Sequence, residues 1–408
     1  DVFKELVNNG MNVVRVNFSH ATEEERQIDK ALAVRAREEL GKHIAVLYDT
    51  KGPDLRTCTF ENNEIEFVAG ATIRIVKEDV LGTKERISFN FPQVIDNLTV
   101  GTMILLNDGF VRLEVKYACE QDGDFLGISF VSTAADVLAA KELLKKYGKP
   151  EMPVLSKIET AKAIENIDEI IDVTDGIIVA RGDLSVEVPF VEVPILQKQI
   201  IKKCREKGKV CIVATEMLKS MCKNSRPTKA ELTDVSTAVF DGADAVWLSD
   251  ETTIGAHPDL ASKYLGEISE VAEKHYHEYA REYKANVEDN EQDFISNSVV
   301  EAAKGLNVKL IVAATMSGYT AQRISNLKPD ADILALCPND KVARSLVLNS
   351  GVHPVVTGLY KNTDELLASA KEEAKKFMDL KTGDYIVITA SYPSIEEKST
   401  NIMKIEQI

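Results

Sequence analysis

Lys157 and Glu159 stand two residues apart in PVLSKIE (153–159), so on a β-strand both side chains leave the same face. A lysine and a glutamate turned into a barrel interior are costly to bury unless chemistry uses them. Asp183 follows the next apolar run, GIIVARGDL (176–184), in a turn that contains Gly182 and can open a helix. Two carboxylates that leave water positions open suit Mg²⁺ meeting a phosphorylated substrate, so Glu159 and Asp183 are the candidate Mg²⁺ ligands. Backbone N–H groups around Gly182 could receive a substrate carboxylate at the helix start. The plainer reading is an internal ion pair of Lys157 with Glu159 or Asp183, and these residues alone leave both open.

A second cluster lies in NVVRVNFSH (12–20) and YDTKGPDLRT (48–57). Asn17, Ser19, Asp49 and Thr50 form a low-charge oxygen set, which suits a monovalent cation better than a transition metal. Arg15, Lys51 and Arg56 bring positive charge to the same rim, where phosphates could bind. Strand-end capping by solvated cations competes with that reading. Further on, Thr315-Met316-Ser317-Gly318-Tyr319-Thr320 joins a strand pattern to a helix pattern. This is the setting of a phosphate cradle, or of an ordinary N-cap through Ser317 or Thr320. Trp247, the single tryptophan, lies in a strand pattern and reads as core. His257, His275 and His277 show no metal-ligand spacing.

The elements that must position these groups are a series of near-continuous apolar runs: 11–20, 44–52, 124–131, 153–159, 176–184, 209–217 and 244–252. Such runs read as buried parallel strands, and helix-period segments such as TAADVLAAKELLKKYG separate most of them. Nearly every run ends in polar residues, including Arg15 to Ser19, Asp49 to Lys51, Lys157 to Glu159, Arg181 to Asp183, and Thr215 with Glu216. Active residues drawn from many strand ends point to a closed TIM barrel rather than an open sheet. Seven strands are visible, one short of eight, and the first is expected before residue 1. The expected organisation is a barrel over 1–52 and 118–285, an inserted small β domain over 53–117, and a C-terminal α/β domain over 286–408.

Composition limits the partners. A net charge of −16 argues against a nucleic-acid partner, since phosphate backbones need a basic surface. No stretch is long and apolar enough for a membrane span. The opening DVFKELVNNG reads as a charged amphipathic helix rather than a leader, and six scattered cysteines read as reduced thiols of a cytoplasmic enzyme.

The strings NVVRVNFSH, DTKGPDLRT, SKIE, VARGDL, ATEMLKSM with NSRPTKAE, and DGADAVWLSDET together resemble the pyruvate kinase family, in that family's order and over nearly the whole chain. The resemblance implies a TIM (β/α)8 barrel, an inserted β-barrel lid and a C-terminal regulatory domain, usually in a homotetramer. It implies phosphoryl transfer between phosphoenolpyruvate and ADP, giving pyruvate and ATP, with Mg²⁺ and K⁺. On this sequence it makes Arg15 and Lys157 contacts of the phosphoryl group, Glu159 and Asp183 the Mg²⁺ ligands, and Asn17, Ser19, Asp49 and Thr50 the K⁺ ligands. Asn17, Phe18, Ser19, His20 and Arg56 fall on the nucleotide side. Gly182 with Asp183 meets the substrate carboxylate, and Thr215 lies where the enolate is protonated. The Thr315, Ser317, Gly318 and Thr320 loop matches a sugar-phosphate effector site. Asp54, Glu216, Ser185 and Asp250 replace the family's usual Glu, Gln, Gly and Gly, and none of these changes removes a metal ligand. Two rivals stay open: another phosphoenolpyruvate barrel enzyme, a lyase or mutase, and a silent sugar-phosphate sensor.

The end of the insertion is expected to be broken. GFVRLEVK (109–116) reads as a strand that runs straight into YACEQDGDFLGISF, the tail of a helix and the next barrel strand. An inserted lid must return near its start, and the family has several dozen residues here, including a nucleotide-side lysine. Residues 116 and 117 are therefore expected not to be covalent neighbours.

Overall fold

The computed structural model describes residues 1–18, 21–50, 61, 74–78, 80–88, 111–280, 291–391 and 400–408. The chain enters β1 (Val13–Asn17) after a short helix, crosses the helix Glu23–Leu40, and forms β2 (Ala45–Asp49). That helix begins at a capping box, in which Thr22 and Glu25 exchange side-chain and backbone hydrogen bonds, and ends at Gly41 with φ 62°. The insertion contributes two short parallel-paired strands, β3 (Arg74–Val76) and β4 (Arg86–Ser88). Most of the rest of the expected β domain before residue 111 lies outside the described residues.

The barrel rhythm resumes with β5 (Phe125–Ile128), β6 (Val154–Ile158), β7 (Gly176–Ala180), β8 (Val210–Ala214) and β9 (Ala245–Trp247). All seven expected runs thus form strands, joined in one parallel sheet of order β1-β2-β5-β6-β7-β8-β9. The sheet is curled. One interior cluster collects Ala45, Leu47, Phe125, Leu155, Ile178, Val210, Ile212 and Ala214, with Val13, Ala245 and Trp247 packed against it, so every strand contributes. The alternate residues, among them Val14, Val16, Val46, Tyr48, Ile158, Ile177 and Val213, pack outward with the surrounding helices. This is a TIM-like barrel; among the described residues no hydrogen-bonded ladder joins β9 back to β1.

One expectation is corrected. The end of GFVRLEVK is not a strand but the first part of the helix Val111–Glu120. That helix runs through positions 116 and 117. The alternation in VRLEVK is too short to separate a strand from a helix. Beyond it, Ala118 and Cys119 are buried and Lys116 pairs with Glu120 at 3.5 Å, an i,i+4 contact that fits only the helix.

The C-terminal domain is a second sheet built from β10 (Leu310–Ala314), β11 (Asp332–Cys337), β12 (Val352–Val356), β13 (Tyr385–Ala390) and β14 (Ile402–Gln407). Its order is β12-β11-β10-β13-β14, and only β14 is antiparallel. Separate apolar clusters cover its two faces. It meets the barrel floor through Val347 and Leu348, which join the interior cluster, while Asn12, just ahead of β1, donates to the Val347 carbonyl at 2.9 Å. Asp124 reinforces the junction by pairing with Arg37 at 3.0 Å and with Arg344 of the C-terminal domain at 2.7 Å.

Candidate active site

Parallel strands deliver their C-terminal ends to one mouth of a barrel. Here the inward positions at that mouth are polar: Arg15 and Asn17 on β1, Asp49 on β2, Lys157 on β6 with Glu159 just past its end, then Asp183 after β7 and Thr215 after β8. Lys157 is the hub. Its ammonium lies 3.3 Å from Asp49, 3.0 Å from Glu159 and 2.9 Å from the Ser129 hydroxyl, with 9% of the residue exposed. Burial works to strip its proton, yet the Asp49 and Glu159 carboxylates outweigh it and hold its pKa above the ordinary lysine value.

Asp49 is 1% exposed and takes a second cation. Arg15 Nε donates to it at 2.7 Å and Nη2 approaches to 2.5 Å. Burial raises a carboxyl pKa, but Lys157 and Arg15 together bring that of Asp49 below its usual value. Room for this carboxylate comes from β5: a Cβ on Gly127 would lie 3.3 Å from Leu47 and 3.4 Å from Asp49 Oδ1. Thr50 is tied to the same strand end, since Ser129 donates its N–H to Thr50 Oγ1 at 3.2 Å and its hydroxyl to the Thr50 carbonyl at 2.7 Å.

Glu159 is equally buried, at 1%, and less well matched. It accepts from Lys157 and from the Phe130 N–H at 2.6 Å, which Phe130 presents from a left-handed backbone, φ 54°. Burial pushes its pKa up to about 7, Lys157 pulls it down, and the charge of nearby Asp183 adds to the rise. Two hard carboxylates, one buried and reluctant to ionise and one exposed, are a donor set that a divalent cation would relieve. Among the described residues no group of three or more His, Cys, Asp or Glu side chains gathers as a ready-made metal cage. A two-carboxylate site of this kind takes its remaining ligands from substrate and water.

On the far side, Thr215 and Glu216 both have positive φ, 69° and 56°. For a β-branched residue this is strained and persists only where neighbours enforce it. Arg181 does so by donating to the Thr215 carbonyl at 2.8 Å while pairing with Asp234, and the Gly182 N–H donates to Thr215 Oγ1 at 2.7 Å. The N–H expected to receive a substrate carboxylate is therefore turned to Thr215.

Arg15, Asn17, Asp49, Thr50, Lys157, Glu159, Gly182, Asp183 and Thr215 thus converge on one mouth, with Phe18 buried behind β1. Ser19, His20, Lys51, Asp54 and Arg56 lie outside the described residues. Thr315, Ser317, Gly318 and Thr320 sit in the C-terminal domain after β10. There Gly318 donates its N–H to Thr315 Oγ1 at 2.9 Å, Thr320 meets Thr400 hydroxyl to hydroxyl, and Ser317 is exposed. Sequence reasoning missed Ser129 and Phe130, although the run DFLGISF carries the polar Ser129 next to its end. It placed Trp247 in the core, and the indole does pack on the interior cluster, but the Arg15 guanidinium 5.1 Å from its ring centroid went unread.

A parallel α/β barrel whose mouth joins two buried carboxylates to a lysine and an arginine is a barrel enzyme of the kind that handles a small anionic substrate. The chain matches the family described as pyruvate kinase, barrel domain, over residues 1–123 and 114–262, and that described as pyruvate kinase, alpha/beta domain, over 293–406. It is 38% identical over 457 aligned positions to a pyruvate kinase of Geobacillus stearothermophilus, covering all of this chain and 78% of that protein. It is 34% identical to a pyruvate kinase of Clostridium acetobutylicum, covering all of this chain and 96% of that one. The Geobacillus alignment exceeds the 408 residues of this chain, so the relative carries positions with no counterpart here. The chain belongs to the pyruvate kinase family.

Proposed function

We propose that this chain transfers the phosphoryl group of phosphoenolpyruvate to ADP, giving pyruvate and ATP in glycolysis. The observation that carries the reading is the buried Lys157 ammonium between Asp49 and Glu159, with Arg15 on Oδ2 of the same Asp49. Phosphoryl transfer asks a protein chiefly for positioning and charge neutralisation, and this is a cationic pair held by fixed carboxylates.

Enzymes of this family work with a divalent and a monovalent cation, assigned here to Mg²⁺ and K⁺. Glu159 and Asp183 would hold Mg²⁺, which supplies charge neutralisation on the phosphoryl oxygens. Asn17, Ser19, Asp49 and Thr50 would hold K⁺. Arg15 and Lys157 bind the phosphoryl group and orient it in line with the nucleotide, which Asn17, Phe18, Ser19, His20 and Arg56 receive. The bond from phosphorus to the enol oxygen breaks as the bond to the ADP β-phosphate oxygen forms. Lys157 then steadies the enolate oxygen, and a proton reaches its carbon from the side of Thr215. Gly182 and Asp183 border the substrate carboxylate. A Cβ on Gly182 would make only ordinary contact with Thr215, so packing within the protein does not demand glycine there.

Thr315, Ser317, Gly318 and Thr320 would receive a phosphorylated effector, and the working assembly is a homotetramer. Among the described residues no helix is long and apolar enough to cross a membrane. The decisive assay is pyruvate release from phosphoenolpyruvate with ADP, Mg²⁺ and K⁺ each omitted in turn. Release that needs no ADP would point to a lyase or mutase, and no release would leave only a binding protein.

A further inference from the structure

We infer that Trp247 is a positioning residue for phosphoenolpyruvate: its indole face holds the Arg15 guanidinium at the mouth of the barrel. The inference rests on the proposed role of Arg15 in binding the phosphoryl group. Trp247 closes β9, the shortest barrel strand, and pairs in register with Ala214, the residue before the strained Thr215. Ala245 and Trp247 pack on the interior cluster while Val246 and Leu248 pack outside, so the indole points inward at the height of the site. Arg15 stands with its guanidinium carbon 5.1 Å from the ring centroid, within cation–π range. Its other side is fixed by Asp49 at 2.5–2.7 Å.

Those two contacts do different work. Asp49 also serves Lys157, so it sets the position of both cations but not the tilt of either. The indole supplies a flat, uncharged wall that fixes the plane of the guanidinium without neutralising it. About a quarter of the Arg15 side chain stays exposed, at 26%, and available to a phosphoryl oxygen. Arg15 and Trp247 also belong to the first and last strands of the sheet, between which no ladder runs among the described residues. Their side-chain contact spans that seam.

Steady-state kinetics of full-length Trp247→Leu and Trp247→Phe test the idea. Leucine keeps an apolar wall and removes the π face, so KM for phosphoenolpyruvate should rise about 3- to 10-fold, with kcat and KM for ADP within about 2-fold of the parent. Phenylalanine keeps the face and should restore most of the loss. Because this is the only tryptophan, emission should also change on adding phosphoenolpyruvate and Mg²⁺ without ADP, and Arg15→Gln should abolish the change. If the parent forms no pyruvate, the functional reading and this inference fall together. If the parent turns over while Trp247→Leu leaves KM for phosphoenolpyruvate unchanged, or shifts both KM values equally, the function stands and the role of Trp247 is refuted. An unaltered emission response in Arg15→Gln refutes it too.

Discussion

Replacing Lys157 by methionine removes the one cation that both buried carboxylates share, and the two losses are unequal. Asp49 keeps Arg15 at 2.5–2.7 Å and stays paired. Glu159 keeps only the Phe130 N–H at 2.6 Å and still faces the charge of Asp183. The uncompensated charge therefore falls on Glu159, and breaking a buried pair in this way costs about 3–5 kcal/mol. Glu159 can evade part of that cost by protonating, because its pKa already stands at about 7. Destabilisation should accordingly be smaller at pH 6 than at pH 8. Turnover should fall by about 10²–10³-fold or more, from lost stabilisation of the transferring phosphoryl group and the enolate. Denaturant unfolding at the two pH values and a pyruvate-release assay give both readings. Adding Glu159→Gln to Lys157→Met should recover stability without recovering activity. Parent-like turnover in purified Lys157→Met would remove Lys157 from the chemistry, and failure of the double variant to regain stability would refute the assignment of strain to Glu159.

Glu159→Gln and Asp183→Asn should each raise the Mg²⁺ concentration needed for half-maximal activity, since each removes a hard anionic ligand; unchanged Mg²⁺ curves in both would disprove the site. In metal-free protein the Glu159 carboxyl, raised from 4.5 to about 7, favours the folded state most below pH 4.5 and loses about 3 kcal/mol of that contribution as pH rises through 7. Thermal unfolding of the parent should thus show a pH slope between 5 and 7 that Glu159→Gln lacks, and equal slopes would count against it. Ser317→Asp places like charge beside the loop after β10, so it should block activation by a sugar phosphate and spare basal turnover; an intact effector response would leave the loop a capping role alone.

The barrel was legible because five of its seven strands are buried on both faces and the runs are therefore nearly continuous in hydrophobicity. VVRVN, VLSKI and GIIVA needed no partner to be recognised, and the polar residues closing them are tolerable only where a mouth receives them. The segment at Val111–Glu120 was not legible, because six alternating residues fit either period and the decision rests on burial of Ala118 and Cys119 against the barrel. The attachment of the C-terminal domain to the barrel floor was equally invisible. Asp124 looks like an ordinary polar residue ahead of a strand, and only the fold brings Arg37 and Arg344 to it from 87 and 220 residues away.

Trp247 marks where reading along the chain stops working. Its local signal, an aromatic in a short strand, correctly gives an inward-facing side chain. Whether that side chain meets core or chemistry depends on its height in the barrel and on what faces it across the lumen. The height follows from the register of β9 on β8, which sets Trp247 level with Ala214. The partner follows from the curl of seven strands, which carries β1 round until Arg15 stands 5.1 Å from the ring centroid. Neither quantity has a period in sequence. Lys157 escaped this limit because a buried charge is anomalous wherever it stands, whereas a half-buried tryptophan in a strand is not, so its role could only emerge once the sheet had curled round to bring β1 to it.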